Sequence, residues 1–143
     1  VGSPSLSAGT FLRFARMTLA YVDTSYLAAI AFDEPGARTL ATRTDEFDRL
    51  VSSNLLDAEL RSAMARESSG LDPEPLFASL SWIYPNRPLT RELRRIVTHG
   101  YLKGADLWHL ACALLVCPAG SPLTFLTLDK RQRDVAASIG FDI

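Results

Sequence analysis

The sequence predicts an α/β fold built around a parallel sheet, and two observations lead to this class. The short apolar run Leu19–Val22 ends at Asp23 and is followed by a helical apolar pattern, and the run Leu123–Leu128 ends at Asp129 and is followed by a second one. Each is a strand, acid, helix unit, which is typical of α/β proteins. The 143 residues, 48% of them hydrophobic, suffice for one domain with a sizeable core.

The charge composition predicts no strong overall electrostatic field. Fifteen basic and 16 acidic residues give a formal net charge of −1. Any binding of nucleic acid would therefore depend on a local patch of charge.

The two cysteines, Cys112 and Cys117, lie in or directly after the apolar run Leu107–Val116. Their spacing fits neither a zinc knuckle nor a disulfide framework, so we expect small buried hydrophobes in a reducing, cytoplasmic setting. The run is about a dozen residues long, short of the ~20 that a membrane helix needs, so no membrane association is expected.

Residues 1–16 are expected to form an N-terminal extension, and residues 17–143 a single domain. The extension is rich in Gly, Ser and Pro and has no clear hydrophobic period, and Met17 stands directly before the first strand. We therefore expect the extension to lie outside the core fold, disordered or foreign to the domain.

The middle of the chain alternates helical and extended patterns. A proline near a first turn, turn residues and hydrophobic periodicity predict the bounds of five elements. These are a helix over 35–44, a strand over 48–53, a helix over 55–67, a short helix over 76–80 and a strand over 82–84. Three further helices, over 90–100, 104–116 and 130–138, precede a last edge strand over 141–143.

Glu59 interrupts the apolar stripe of the helix over 55–67. Leu56, Leu60 and Ala63 flank it on a helical wheel. A buried carboxylate is unfavourable unless it is paired or binds a metal ion. Glu59 therefore either reaches water or an arginine at the edge of the stripe, or belongs to a site.

The helix over 104–116 is apolar on nearly every side and carries Asp106 in its first turn. The positive end of a helix favours an anion there, although a capping role explains the residue equally well. His109 lies one turn later without any partner at zinc-ligand spacing. We expect a packed, hydrogen-bonded histidine rather than a metal ligand.

Three arginines of the helix over 90–100 share one face at helical spacing, and we call Arg91, Arg94 and Arg95 the arginine face. Such a cluster is either a solvated surface or a phosphate contact. Together with Lys130, the arginine face supplies the candidates for contacts with the phosphates of a nucleic acid.

Four acids recur at equivalent places of the predicted sheet. Asp23 and Asp129 follow strands, while Glu59 and Asp106 lie early in helices. Asp134, on the last helix, is a weaker fifth candidate. Carboxylate oxygens are the ligands that Mg²⁺ prefers, and bound metal ions can activate water for attack on phosphorus. No Ser/His/Asp or Cys/His arrangement competes with this chemistry.

These residues resemble the acidic motifs of PIN-domain proteins, specifically VapC-type toxins, over about Met17 to Ile143. The four motifs are Val22-Asp23-Thr24-Ser25, Asp57-Ala58-Glu59-Leu60, Ala105-Asp106-Leu107-Trp108-His109-Leu110-Ala111 and Leu126-Thr127-Leu128-Asp129. The resemblance implies a three-layer α/β/α sandwich with a central parallel sheet. It also implies an endoribonuclease that uses Mg²⁺ or Mn²⁺, a cognate VapB-type antitoxin and a homodimer.

The resemblance also assigns roles to residues. Asp23, Glu59, Asp106 and Asp129 match the metal-site acids, and Thr24 and Thr127 match positions where a hydroxyl supports the site. Two departures are Ser25, where asparagine is frequent, and Asp134, which stands farther from Asp129 than the extra acid of some relatives.

Two other classes remain open at this stage. A phosphotransfer receiver domain also places acids at strand ends, but it needs paired acids near its first strand and a lysine after a late strand. Here the first strand has one acid, Asp23, and Lys130 follows Asp129 directly. The other class is a PIN-like domain that keeps its acids structurally and acts only by binding a partner.

Overall fold

A five-stranded parallel sheet forms the centre of the molecule. The computed structural model describes residues 17–143 and the backbone of the two-residue strand Ser5–Leu6. The rest of the expected extension, residues 1–16, lies outside the described residues. In this part of the chain the strands are β1 (Ser5–Leu6), β2 (Leu19–Val22), β3 (Arg49–Ser53), β4 (Leu80–Ile83) and β5 (Thr124–Leu126). Their order in the sheet is β1-β4-β3-β2-β5.

Helices cover both faces of this sheet. They are α1 (Thr24–Ala31), α2 (Ala37–Thr44), α3 (Leu55–Arg66), α4 (Glu74–Phe77), α5 (Thr90–Val97), α6 (Gly104–Val116) and α7 (Lys130–Ile139). Because side chains alternate along a strand, Ala20 and Val22 of β2 pack among α1 to α4, whereas Leu19 and Tyr21 pack among α5 to α7. The predicted three-layer α/β/α sandwich is confirmed.

The order of the strands reverses between β2 and β5. From β2 the chain adds β3 and β4 on one side and then returns to add β5 on the other side. In open α/β sheets, ligands bind outside the carboxyl ends of the strands at such a reversal. Asp23 lies there, and its backbone N–H donates to the carbonyl of Leu126 at 2.9 Å.

Several predicted bounds are wrong in detail. The short helix predicted over 76–80 lies over Glu74–Phe77, because Leu80 is fully buried as the first residue of β4. The helix predicted over 90–100 ends at Val97. Instead of an edge strand over 141–143, the described residues show an isolated bridge between Thr124 and Asp142.

The apolar helix α6 and both cysteines are central, as predicted. Every residue from His109 to Cys117 is buried. Burial raises the pKa of Cys112 to about 12, so this thiol stays protonated and behaves as a hydrophobe. Among the described helices, none combines the length and the apolar character needed to cross a bilayer.

Candidate active site

The four predicted acids come together at the carboxyl edge of the sheet. Asp23 directly follows β2 and is the N-cap of α1, and Asp129 follows β5 and is the N-cap of α7. Glu59 lies in the second turn of α3, and Asp106 lies in the first turn of α6. Four separate segments of the chain thus bring one acid each to this edge of the sheet.

Asp23 is the most buried of these acids, with 4% of its surface exposed. Its Oδ2 accepts hydrogen bonds from Ser25 N at 3.0 Å and Ser25 Oγ at 2.7 Å, and its Oδ1 accepts one from Gln132 Nε2 at 3.1 Å. The residue therefore caps its helix, as the simple explanation predicts. Because two further donors hold its carboxylate, capping is only part of its surroundings.

Glu59 is half-buried and is held through one of its two carboxylate oxygens. Oε1 accepts hydrogen bonds from Thr24 Oγ1 at 2.8 Å and from His109 Nε2 at 2.6 Å. Burial by itself would raise the pKa of Glu59, but these two hydrogen bonds outweigh burial and lower the pKa. Glu59 is consequently ionised and oriented, and among the described residues Oε2 has no hydrogen-bond partner.

A buried hydrogen-bond chain fixes the orientation of His109. Ser53 N–H donates to the hydroxyl of Tyr21 at 3.1 Å, and this hydroxyl lies 2.6 Å from His109 Nδ1. Burial raises the pKa of Tyr21 well above its usual value, so the hydroxyl keeps its proton and donates it to Nδ1. The network therefore assigns the ring proton to Nε2, which faces Glu59. The prediction of a packed, hydrogen-bonded histidine is confirmed.

Asp106 differs from the other acids because its charge is unfavourable where it stands. Burial and the negative charges of Asp23 and Asp129 raise its pKa, and Glu59 adds to the effect. Its carboxyl group makes no hydrogen bond or ion pair with the described residues, although its backbone carbonyl accepts one from Gln132 Nε2 at 3.2 Å. The charges of the other three acids therefore all disfavour the ionised form of Asp106.

Gln132 is the residue that sequence reasoning missed. It is fully buried, and besides Asp23 and the Asp106 carbonyl it contacts Thr127, whose hydroxyl donates to Gln132 Oε1 at 2.6 Å. A local signal existed, because Asp129 and Gln132 have the spacing of a helix capping box. The Gln132 backbone does donate to Asp129 Oδ1 at 2.7 Å, but its side chain crosses to Asp23.

The two hydroxyl residues that the resemblance assigns to the site, Thr24 and Thr127, both contact residues at this edge of the sheet. Thr24 contacts Glu59 directly. Thr127 Oγ1 lies 3.2 Å from Ser25 Oγ and accepts a hydrogen bond from Asp129 N at 3.1 Å. Ser25, the departure from the usual asparagine, thereby connects the loop after β5 to Asp23.

The remaining predicted residues are divided between the two ends of the domain. Lys130 directly follows Asp129 and pairs with Asp134 at 2.8 Å, so among the described residues Asp134 contacts a cation rather than the acids. Arg95, of the arginine face, donates to the carbonyl of Pro118 beyond the C-terminus of α6. Asp106 lies at the opposite end of α6, roughly 15 Å away at 1.5 Å per residue. The structure brings Lys130 to the site and holds Arg95 away from it.

The donor set suits a hard divalent cation, but the side chains do not enclose one. Within the described residues, no three His, Cys, Asp or Glu side chains are placed to hold a metal ion. His109 Nε2 lies 3.9 Å from Asp23 Oδ1 and 2.6 Å from Glu59 Oε1, so these two carboxylates are close neighbours. Carboxylates without thiolate or imidazole ligands favour the hard cations Mg²⁺ and Mn²⁺ over softer ones such as Zn²⁺ and Cu²⁺.

Comparison with known proteins agrees with this geometry. No curated protein gives a significant match to the chain. The model of the PIN domain family matches residues 20–138, from the middle of β2 almost to the end of α7. PIN domains are generally nucleases, typically use divalent metal ions and bind RNA. Because the match spans all four acids and most of the chain, this protein belongs to the PIN domain family.

Proposed function

We propose that the protein is a metal-dependent endoribonuclease whose acids Asp23, Glu59, Asp106 and Asp129 bind Mg²⁺ or Mn²⁺. The observation that carries this proposal is that four chain segments bring one acid each to the carboxyl edge of the sheet, where the charges of the other three acids act on Asp106. The raised pKa of Asp106 supports it, because a bound cation would relieve the repulsion that disfavours this charge.

The surrounding residues orient the carboxylates for such a role. Ser25 and Gln132 hold Asp23, while Thr24 and His109 hold Glu59 through Oε1. When bound, a divalent cation supplies an activated water and offsets charge on the cleaved phosphate. Fixing the ligands in advance reduces the reorganisation that binding requires.

The finer assignment follows the motif resemblance. We propose a VapC-type toxin that cleaves RNA, forms a homodimer and is inhibited by a VapB-type antitoxin. The order of the four acidic motifs, with Thr24 and Thr127 beside them, supports it. No observation favours a receiver domain or an inert binding domain.

The test compares the parent with Asp106→Asn, which removes one charge at almost constant shape. Each protein is incubated with labelled RNA in Mg²⁺, in Mn²⁺ and in chelator, and melted in Mg²⁺ and in chelator. We expect Asp106→Asn to lose cleavage. It should be at least as stable as the parent in chelator, because the charge it removes is unfavourable, and Mg²⁺ should stabilise the parent more.

The matched control is Asp134→Asn, the same exchange at an exposed acid that pairs with Lys130. It should cleave RNA and respond to Mg²⁺ like the parent. Cleavage that survives in chelator, or in Asp106→Asn prepared in parallel, would overturn the proposal. An inert parent that binds RNA would identify a binding domain instead.

A further inference from the structure

An open cavity of about 520 Å³ lies where the first turns of α7 meet the loop that precedes α6. Its lining residues are Gly100, Tyr101, Lys130, Arg131, Asp134 and Val135. They come from the loop that leads into α6 and from the first turns of α7. Along the chain, Asp106 follows Tyr101 by five residues and Asp129 directly precedes Lys130, so both lining segments lead to acids of the site.

The cavity contains an exposed aromatic ring. Tyr101 is 70% exposed, which is the largest exposure of any large hydrophobic residue among those described, so core packing does not explain its position. The guanidinium carbon of Arg131 lies 5.6 Å from the centre of the ring. An exposed aromatic side chain beside a guanidinium group is the arrangement on which unpaired bases stack.

The backbone is shaped to hold Tyr101 at this place. Gly100 has φ of +154°, and a Cβ atom there would lie 3.1 Å from Cγ2 of Val135 on α7. A larger residue would therefore be strained at this φ and would require Val135 or the loop to shift by a few tenths of an ångström. Glycine lets the loop lie against α7, which brings Tyr101 to Arg131.

The charge of the cavity suits one phosphodiester group. Lys130 and Arg131 contribute two positive charges, and Asp134 contributes one negative charge through its ion pair with Lys130 at 2.8 Å. All these side chains meet water, so phosphate can compete for Lys130. The resulting local charge is positive although the whole chain has a net charge of −1.

We propose that this cavity, the Tyr101 cavity, binds one nucleotide of single-stranded RNA next to the phosphodiester that is cleaved. The base stacks on Tyr101, and Arg131 and Lys130 contact the adjoining phosphate. A base-paired nucleotide cannot place its face on the ring, so the cavity selects an unpaired segment of RNA. This inference rests on the proposed function, because it takes RNA as the substrate.

Binding is measured with Asp106→Asn as background, so that cleavage does not consume the probe. The probes are a short labelled single-stranded RNA, the same strand with abasic sites and a duplex of the same sequence. We expect Tyr101→Ala to weaken binding of the single strand by about 5- to 150-fold, the range that corresponds to losing one stacked base. Tyr101→Phe should bind like the background, since the ring remains.

Two controls separate stacking from general effects. Tyr84→Ala removes another exposed tyrosine, 49% exposed, which follows β4 and lies outside the cavity. It should change no affinity, and Tyr101→Ala should leave the affinities for abasic strand and duplex unchanged. Arg131→Gln should lower the salt dependence of single-strand binding by about 0.7 in the log–log slope, as expected for one lost phosphate contact.

Equal binding by Tyr101→Ala and the background would overturn the proposal, as would an equal loss for single strand and duplex. If the cavity instead receives a protein segment, the affinities for RNA stay unchanged. If the parent fails to cleave RNA while Tyr101→Ala loses affinity for the single strand alone, the nuclease proposal fails and the Tyr101 cavity proposal stands. If the parent cleaves RNA in a metal-dependent manner while Tyr101→Ala binds RNA like the background, the nuclease proposal stands and the Tyr101 cavity proposal fails.

Discussion

The hydrogen bond between Tyr21 and His109 provides the sharpest test of the structure, because both residues are fully buried. Their polar atoms lie 2.6 Å apart, and the residues are separated by 88 positions in the sequence. The perturbations are Tyr21→Phe, His109→Leu and the double variant. Tyr21→Phe keeps the aromatic ring, which stacks on Phe125 at a centroid distance of 5.1 Å. Its effect therefore reports the hydroxyl group.

The expected magnitudes follow from the partners that each change leaves behind. His109→Leu leaves the Tyr21 hydroxyl without an acceptor, and Tyr21→Phe leaves His109 Nδ1 and Ser53 N–H without a partner. Each unpaired buried group destabilises the protein by about 1–3 kcal/mol. The double variant removes both members of the Tyr21–His109 bond. We therefore expect it to be more stable than the sum of the single effects predicts, by about 1–3 kcal/mol.

The free energy of unfolding is measured by urea denaturation for the four proteins of the cycle. The control cycle replaces Tyr21→Phe with Tyr26→Phe, whose hydroxyl donates to the Leu40 carbonyl at 2.9 Å on the other face of the sheet. Tyr26→Phe and His109→Leu should add within about 0.5 kcal/mol, since they share no partner. If the effects of Tyr21→Phe and His109→Leu on the free energy of unfolding also add within about 0.5 kcal/mol, the hydrogen-bond chain described above is refuted.

Three further predictions concern the site and its surroundings. Arg87 lowers the pKa of Glu92 through two hydrogen bonds. The parent should therefore be more stable than Glu92→Gln at pH 7, and this difference in the free energy of unfolding should shrink as the pH falls below about 4.3. A difference that does not depend on pH would contradict this. Gln132→Leu should destabilise the protein by about 2–4 kcal/mol in urea, since the Thr127 hydroxyl loses the acceptor Gln132 Oε1 and Asp23 Oδ1 loses the donor Gln132 Nε2. A change below about 0.5 kcal/mol would contradict the bridge. Replacing all three residues of the arginine face with Glu should leave RNA cleavage and its salt dependence unchanged, because Arg95 contacts the end of α6 that lies far from Asp106. A weaker salt dependence in this variant would instead identify a phosphate contact.

Local patterns of the sequence predict much of this fold. Strand runs that end at Asp23 and Asp129, and the periodic helices between them, are visible within windows of about ten residues. The bounds of α6 agree with the prediction because its apolar run is long and unambiguous. The predicted bounds fail at short elements such as α4, where tertiary burial of Leu80 outweighs local propensity.

The family motifs extend the sequence-based description to the acids, but not to what holds them. Residue type and position in a motif select Asp23, Glu59, Asp106 and Asp129 as candidates. Whether these four carboxylates share one environment depends on the strand order, which places β5 beside β2. Short-range patterns do not encode that order, because it is decided by packing between distant segments.

Only the tertiary structure reveals the second layer of the site. Gln132 reaches Asp23 across 109 positions of the sequence, and His109 reaches Tyr21 across 88. Buried polar groups must find hydrogen-bond partners, yet the partner can come from any segment that the fold brings near. The sequence by itself therefore determined strands β2 to β5, the helices and the candidate acids. The fold alone decided which polar side chains orient those acids, because their partners become neighbours only when the sheet and its helices pack together.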